Sequence, residues 1–261
     1  MLNSIIYGPV PSWRLGRSLG IDLLSTEGKT CSFDCIYCQL GRTIHPLAKR
    51  REFVSLNRLI SELETLGDIE ADFATFSGVG EPTLASNLGQ AIPIVKSLLH
   101  LPVAVLTNSA LMPREDVRRD LAGADVVVAK LDASEEELFC KINRPFGGYS
   151  IEEIVQGIKL FRENYQGKLA LQMMLIDANK RYYREMAEIA KSLSPDEVQL
   201  NTALRPCAVK PLSPCEMAAI KVGFEGLDVS EVYEAPKREV APLNAGETLR
   251  RRPLEGASEF L

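Results

Sequence analysis

The sequence has little histidine and lacks a long apolar stretch. Only two of its 261 residues are histidine, His45 and His100, and neither belongs to a metal-ligand pair. No run of 18 or more apolar residues occurs, so no membrane-spanning helix is expected. The first residues lack a basic region followed by an apolar run, so no secretory signal is expected. Six cysteines without an export signal therefore indicate thiols or metal ligands in a reducing cytoplasm.

An excess of positive charge is also missing. The net charge of −5 argues against broad, nonspecific binding of nucleic acid, which depends on a basic surface. Two short basic runs, at residues 48–51 and 249–252, fit a solvated surface or a contact with a phosphate group of the substrate. No internal repeat or low-complexity segment is visible. With 46% hydrophobic residues, the chain can bury the core of one large α/β domain or two small ones.

The most informative stretch holds three cysteines at C-x3-C-x2-C spacing, Cys31, Cys35 and Cys38. Thiolates this close in sequence are able to wrap one metal centre. A [4Fe–4S] cluster has four iron corners, which proteins usually fill with four cysteines. Three nearby cysteines leave two alternatives, a distant fourth cysteine or one open iron. An open coordination position is typical of a catalytic metal site.

Other readings of the cysteines remain. Zinc sites mostly use paired cysteines or histidines, and this chain has no second C-x2-C pair. The remaining cysteines, Cys140, Cys207 and Cys215, are expected to be buried free thiols. Cys207 and Cys215 are an alternative source of ligands for an auxiliary cluster, although two thiols are too few by themselves.

Strands and helices alternate along the chain. Period-2 and continuous apolar runs predict six strands, at residues 19–24, 72–77, 103–108, 125–132, 168–176 and 197–201. Helical spacing predicts helices at residues 53–66, 88–99, 113–121, 134–139, 150–164, 181–193 and 215–222. This order predicts a parallel α/β sheet with right-handed crossovers, and six units are too few for an eight-unit barrel.

The chain divides into three predicted parts. Residues 1–18 contain prolines and glycines that break periodicity, and we expect an irregular N-terminal segment. Residues 19–222 form the core domain. Residues 223–261 are expected to be a polar, loosely ordered tail that wraps the domain.

Polar side chains and the special motifs gather where predicted strands end. Ligands of parallel α/β sheets bind at the carboxyl ends of the strands, so these positions are expected to share one site. The cysteine loop follows the first strand, and Gly78-Val79-Gly80-Glu81-Pro82 follows the second. The strand-end polar candidates are Asn108, Lys130, Asp132, Gln172 and Asn201.

The cysteine motif resembles the cluster loop of the radical S-adenosylmethionine (radical SAM) superfamily. The stretch from Gly78 to Pro82 is similar to the glycine-glycine-glutamate-proline turn of that superfamily. The opening stretch, residues 7–22, and Ile142-Asn143-Arg144-Pro145 resemble a subgroup of small iron–sulfur oxidoreductases described as wyosine-synthase-like. The resemblance covers about residues 5–215 and implies a partial (β/α)6 barrel, which agrees with the six predicted units.

The resemblance implies two cofactors, a [4Fe–4S] cluster and S-adenosylmethionine. Cys31, Cys35 and Cys38 would be the cluster ligands and the catalytic residues. Gly78, Gly80, Glu81 and Pro82 would form the turn that meets the methionyl amino group. The carboxylate and ribose would be held by Asn108, Lys130, Asp132 and Gln172. Adenine would lie between Tyr37 and Asn201.

The implied activity is that of an oxidoreductase or lyase. Reductive cleavage of S-adenosylmethionine would give a 5′-deoxyadenosyl radical, which abstracts hydrogen from an unidentified small molecule, peptide or RNA. A flavodoxin- or ferredoxin-type donor would supply the electron. Arg14 and Arg17 would reach the barrel mouth or form surface ion pairs. Met173 and Met174 are expected to fill the core, although only one of them can face inward.

The sequence leaves three alternative functions open. A compact chain of this kind also suits an enzyme that activates a glycyl-radical partner. A wyosine-type enzyme acting on tRNA is a second alternative, but no cysteine precedes Cys31 to bind the second cluster expected of such enzymes. An iron–sulfur electron carrier is the third, and it leaves the strand-end polar residues without a role.

Overall fold

The structure is a computed structural model that describes residues 4–236 and 239–253. Its centre is a curled sheet of eight strands that forms a half-barrel, with helices packed on the outer face. The described residues form ten strands: β1 (Ile6–Ser12), β2 (Gly16–Ile21), β3 (Thr30–Cys31), β4 (His45–Pro46), β5 (Phe73–Phe76), β6 (Val103–Thr107), β7 (Val126–Lys130), β8 (Lys168–Leu175), β9 (Glu197–Thr202) and β10 (Val229–Glu231). Strands β3 and β4 pair with each other in a separate two-stranded sheet, and the other eight form the curled sheet.

The helices alternate with the strands as predicted. They are α1 (Leu56–Glu64), α2 (Leu88–Leu99), α3 (Glu115–Leu121), α4 (Glu136–Asn143), α5 (Ile151–Asn164), α6 (Tyr183–Leu193), α7 (Pro214–Lys221) and α8 (Ala245–Arg251). Helix α5 begins at a capping box, in which the Ser150 hydroxyl accepts from the Glu153 N–H while the Glu153 carboxylate accepts from the Ser150 N–H. In the described ranges, no helix combines the length and apolar character that crossing a membrane requires.

The main sheet has the order β1-β2-β5-β6-β7-β8-β9-β10. The six strands from β2 to β9 in this order are parallel and correspond to the six predicted units. Strand β1 pairs antiparallel with β2 at one edge, and β10 pairs parallel with β9 at the other. The predicted partial barrel is therefore confirmed, with one further strand on each side.

The prediction that residues 1–18 are irregular is wrong. They contribute β1 and the beginning of β2. Proline is tolerated in an edge strand or beside a bulge, and β1 is such a strand, with a register shift between Tyr7 and Val10. Proline content therefore removed the sequence periodicity without removing the strand.

The described part of the C-terminal segment is not loosely ordered. Residues 229–231 extend the sheet, and α8 packs on β1. The Thr248 hydroxyl accepts a 3.0 Å hydrogen bond from the Gly8 N–H. Arg251 is 1% exposed and forms a 2.8 Å ion pair with Asp22, at the end of β2. Residues 254–261 of the predicted tail lie outside the described residues.

The inner face of the sheet changes character along the strands. At the beginning of the strands it holds a small apolar cluster that includes Val126, Val128 and Ala170. Because side chains alternate across a strand, Lys130 and Gln172 follow on the same inner face. The half-barrel is therefore plugged by apolar side chains at one end and lined by polar ones toward the carboxyl ends.

Candidate functional site

The cysteine loop leaves β2 and is held on the carboxyl end of α4. The Asp34 N–H donates to the Asn143 carbonyl over 3.0 Å, and the Ile36 N–H donates to the Ile142 carbonyl over 2.9 Å. The Phe33 ring meets Phe139 edge to face, with centroids 5.3 Å apart. The stretch from Ile142 to Pro145, noted in the sequence, is therefore part of the platform that supports the loop.

The three thiols of the loop are free and lie near one cation. Burial raises the pKa of Cys31 to about 12, and burial also raises the pKa of Cys35. Burial of Lys29 acts to lower its pKa, but the neighbouring thiolates of Cys38, Cys31 and Cys35 outweigh this effect and raise it. The Cys31 and Cys35 thiols therefore resist ionisation on their own, whereas metal coordination deprotonates a thiol outright.

Amide donors point at two of the sulfur atoms. The Asn108 side chain and the Phe33 N–H each lie 3.5 Å from the Cys31 Sγ, and the Asn143 side chain lies 3.4 Å from the Cys35 Sγ. Hydrogen bonds to sulfur are one of the factors that set the reduction potential of an iron–sulfur cluster. The sequence did not point to Asn143 or Lys29 as site residues, although Asn143 lies within the quoted Ile142–Pro145 motif and Lys29 lies two residues before Cys31.

The donor set fits a cluster better than a single metal ion. Among the described residues, no three His, Cys, Asp or Glu side chains are grouped closely enough to hold one ion. In a [4Fe–4S] cluster each thiolate binds a different iron atom, so the sulfur atoms need not converge on one point. Three free thiols on one loop, with a buried lysine and amide donors beside them, suit this arrangement.

The glycine turn after β5 packs directly on the cysteine loop. The Thr30 N–H donates to the Val79 carbonyl over 3.0 Å, and the Glu81 N–H donates to the Thr30 carbonyl over 3.2 Å. A Cβ atom on Gly80 would lie 1.6 Å from the Thr30 carbonyl oxygen. Only glycine permits this approach, which brings the turn within one residue of Cys31.

Glu81 is buried and ties the turn to the end of β6. One carboxylate oxygen accepts from the hydroxyls of Thr83 and Thr107, over 2.6 and 2.7 Å, and the other accepts a 2.6 Å bond from the Asn108 N–H. Burial raises the pKa of Glu81, although these hydrogen bonds oppose the shift. Both oxygens are engaged within the protein, and Pro82 begins the 3-10 helix that follows.

A second network stands behind the loop. The Tyr37 hydroxyl donates to the Asp132 carboxylate and accepts a 2.8 Å bond from Lys130. The Asn143 side chain donates to the same carboxylate oxygen over 2.9 Å, and the Met174 N–H donates to the other over 2.8 Å. Burial and the neighbouring Asp132 carboxylate raise the pKa of Tyr37 well above its usual value, so the hydroxyl stays protonated.

A cavity of about 830 Å³ opens beside this network, inside the half-barrel. Five of the predicted site residues line it, namely Tyr37, Cys38, Lys130, Gln172 and Asn201. The other predicted residues lie in the cysteine loop, in the glycine turn or behind the wall, namely Cys31, Cys35, Gly78, Gly80, Glu81, Pro82, Asn108 and Asp132. The cavity also takes in Arg14, Arg205 and Arg252. The sequence pointed to Arg14, and to Arg252 only as part of the basic run at residues 249–252, but not to Arg205.

Arg17 has the second of its two expected roles, an ion pair, since it lies near the beginning of β2 and pairs with Asp72 over 2.9 Å next to the beginning of β5. Two smaller expectations need correction. Met173 fills the core, but Met174 lines the cavity, as strand alternation requires. Cys140 and Cys215 are exposed rather than buried, because they lie on the outer faces of α4 and α7.

Comparison with known proteins shows the superfamily to which this chain belongs. The sequence model of the radical SAM superfamily matches residues 28–190, which include the cysteine loop and the glycine turn. The chain therefore belongs to the radical SAM superfamily and, within it, to the UPF0026 proteins. Members of the superfamily use a [4Fe–4S] cluster and S-adenosylmethionine.

Two relatives support the narrower assignment. A UPF0026 protein of Methanocaldococcus jannaschii is 40% identical over 225 residues, which cover 83% of this chain and 69% of the relative. A UPF0026 protein of Synechocystis is 40% identical over 208 residues, which cover 79% of this chain and 77% of the relative.

The fold also matches solved structures. SuiB of Streptococcus suis, in a crystal structure with bound S-adenosylmethionine, aligns with a TM-score of 0.61 and 14% sequence identity. The alignment covers 78% of this chain but only 48% of SuiB, so the chain spans about half the length of that protein. At this identity the likeness concerns the fold alone, and it agrees with the partial barrel.

Proposed function

We propose that this chain reductively cleaves S-adenosylmethionine at a [4Fe–4S] cluster and uses the resulting 5′-deoxyadenosyl radical to abstract hydrogen from a substrate bound in the 830 Å³ cavity. The observation that carries the proposal is the position of Cys38. It belongs to the loop of three free thiols and also lines the cavity, so a cluster held by the loop would face the space where a cofactor and substrate fit.

The cluster ligands in this proposal are Cys31, Cys35 and Cys38, which leave one iron open. When bound, the two cofactors would supply one-electron cleavage of a carbon–sulfur bond of the sulfonium, which gives methionine and a 5′-deoxyadenosyl radical. That radical would take a hydrogen atom from the substrate and leave as 5′-deoxyadenosine. The electron would come from a flavodoxin- or ferredoxin-type donor. Lys29 balances the negative charge of the thiolates, and the amide donors of Asn108 and Asn143 stabilise charge on sulfur.

The remaining residues position the adenosyl cofactor. Because both Glu81 oxygens are already engaged, Glu81 is proposed to fix the turn, so that the backbone of Gly78 and Gly80 meets the amino group. Pro82 ends that turn. Asn108 and Asp132 support the loop and Tyr37, respectively. The residues proposed to contact the carboxylate, ribose and adenine directly are Tyr37, Lys130, Gln172 and Asn201.

The test is anaerobic. The full chain is reconstituted with iron and sulfide, reduced with dithionite and incubated with S-adenosylmethionine, and 5′-deoxyadenosine is measured by chromatography. We expect about four iron atoms per chain and formation of 5′-deoxyadenosine. The triple variant Cys31→Ala, Cys35→Ala, Cys38→Ala is expected to bind no cluster and to form no product.

A matched control separates the loop from other thiols. The double variant Cys140→Ala, Cys215→Ala removes two exposed cysteines and is expected to keep both cluster and activity. Loss of the cluster in this control would contradict the ligand assignment. A wild-type protein with a full complement of iron and no cleavage of S-adenosylmethionine would contradict the proposed reaction and favour the electron-carrier alternative.

A further inference from the structure

The charge on the cavity wall differs from the charge of the whole chain. The chain carries a net charge of −5. Four cationic side chains line the cavity, and no carboxylate is found among its described lining residues. The cations are Arg14, Lys130, Arg205 and Arg252. A cavity of one sign concentrates ligands of the opposite sign.

Two of these cations already donate hydrogen bonds to side chains of the protein. Lys130 donates to the Tyr37 hydroxyl over 2.8 Å and lies 3.7 Å from the Asp132 carboxylate. Arg205 donates to the Gln39 side-chain oxygen over 2.6 Å. These contacts hold the Lys130 and Arg205 side chains in place on the cavity wall.

Arg14 and Arg252 differ from Lys130 and Arg205 because no side chain accepts a hydrogen bond from them in the described residues. The Nε of Arg14 is buried and has no hydrogen-bond partner, and the guanidinium lies 5.1 Å from the Trp13 ring. Arg252 donates long bonds, 3.3 Å each, to the Pro11 carbonyl. A buried donor without an acceptor is unfavourable, so the Arg14 guanidinium is placed for an acceptor that the described chain does not supply. Arg252 lines the same cavity, and both of its bonds go to a single neutral carbonyl.

The electrostatics support this view. Burial, together with the positive charge of Arg252, lowers the pKa of Arg14 to about 10. Burial also lowers the pKa of Arg252. The carboxylate of Glu197 acts on Arg14 in the opposite direction, but Lys168 already pairs with it over 2.8 Å. It also accepts from Ser230 over 2.5 Å.

Arg14 and Arg252 come from parts of the chain that the cofactor motifs do not use. Arg14 lies in the turn between β1 and β2, and Arg252 directly follows α8. The family match covers residues 28–190 and includes neither. The pair is therefore a feature of the additional edge strand and the C-terminal helix, not of the six-unit barrel.

We propose that Arg14 and Arg252 together bind an anionic group of a small-molecule substrate, a phosphate or a carboxylate. The planar guanidinium forms paired hydrogen bonds with either group. A cavity of about 830 Å³ lies within the range of small-molecule sites. The inference rests on the proposed function only in naming the bound molecule a substrate; the anion site itself does not require radical chemistry.

The experiment measures binding directly by isothermal titration calorimetry. The full chain, with its cluster reconstituted, is first saturated with S-adenosylhomocysteine and then titrated with pyrophosphate or with citrate. We expect saturable binding of at least one probe, and the preferred probe distinguishes phosphate from carboxylate recognition. Arg14→Gln and Arg252→Gln should each weaken it about tenfold or more, since each removes charged hydrogen bonds.

Two further variants make the result specific. Arg119→Gln removes the same charge from an exposed residue of α3 and should change the affinity less than about twofold, as expected for a distant screened charge. Arg14→Lys keeps the charge without the paired geometry and should give an intermediate affinity. If Arg14→Gln fails to fold, Arg252→Gln and Arg252→Lys decide the question.

The outcomes separate this inference from the proposed function. Absence of saturable binding of both probes, or equal weakening by Arg119→Gln, would overturn the anion site. Probe binding in a preparation that forms no 5′-deoxyadenosine would retain the anion site and contradict the radical reaction. Formation of 5′-deoxyadenosine without probe binding would contradict the anion site alone.

Discussion

Two parts of one cavity wall differ in how their polar groups are satisfied. Around Tyr37, each side-chain donor of the network formed with Lys130, Asp132 and Asn143 has an acceptor, although the Asn143 Oδ1 acceptor receives no donor. Around Arg14, a buried donor has none. The first part is built to hold its shape before any ligand arrives, whereas the second completes its hydrogen bonds only with a ligand. Mutations in the two parts should therefore change stability in opposite directions.

The largest effect is expected from Asp132→Ala. This change removes the acceptor shared by Tyr37 and Asn143 and leaves Lys130 without its carboxylate. Breaking a buried ion pair from one side typically costs about 3–5 kcal/mol. We expect a decrease of this size in the free energy of unfolding, measured by chemical denaturation.

Asp177→Ala is the matched control for this change. Asp177 pairs with Lys180 over 2.8 Å, but its side chain is 89% exposed. The expected loss is below about 1 kcal/mol. Similar losses in the two variants would mean that the Tyr37 network contributes no more than a surface pair.

A smaller effect is expected from Gly80→Ala. The added methyl group meets the Thr30 carbonyl, so the glycine turn must move away from the cysteine loop. Overpacking of this kind costs about 1–3 kcal/mol. Iron content after reconstitution should fall together with the free energy of unfolding.

Gly67→Ala adds the same methyl group where nothing lies within 4 Å. Its effect on the free energy of unfolding should stay within about 0.5 kcal/mol, and its iron content should be unchanged. If Gly80→Ala behaves like this control, the close contact between turn and loop is not required.

The smallest effect, with the opposite sign, is expected from Arg14→Gln. Removing a buried donor that lacks an acceptor should increase the free energy of unfolding by about 1 kcal/mol in the absence of ligand. Such a gain is typical where a site sacrifices stability for binding. A loss of more than about 1 kcal/mol would show that Arg14 is a structural residue.

The pH dependence of this difference follows from the pKa of Arg14, which burial lowers from its usual value to about 10 in the folded protein. Above pH 10 the unfolded chain binds more protons at this residue than the folded chain does, so Arg14 becomes less unfavourable as the pH rises. The advantage of Arg14→Gln over the wild type should therefore shrink above pH 10. If the difference in the free energy of unfolding between Arg14→Gln and the wild type stays constant from pH 8 to pH 11, the charge of Arg14 is not uncompensated in the folded protein.

The sequence predicted the part of the molecule whose signals are local. Six strands, seven helices and the cysteine loop follow from periodicity and spacing, and each lies close to its expected residues. Gly80 was singled out from a short motif, and the structure gives the reason, a contact with Thr30. The roles of the individual site residues stay predictions.

The features that the sequence did not reveal depend on contacts between distant segments. Asn143 reaches the Cys35 sulfur from a helix more than 100 residues away in the chain. Strand β1 contains prolines that conceal an edge strand, and Arg252 belongs to a basic run that resembles ordinary surface. The periodicity of the sequence does not show which of several arginines faces the cavity. That depends on how the edge strand β1 and the helix α8 are arranged in the fold.

The ion pair between Arg251 and Asp22 joins two distant parts of the chain. The Asp22 carboxylate accepts a 3.2 Å bond from the Val79 N–H in the glycine turn, and its buried charge is balanced by Arg251, 229 residues further along the chain. The support of the glycine turn therefore extends to a helix outside the six-unit barrel. A chain cut before α8 would leave the Asp22 carboxylate buried and without its cation beside that turn.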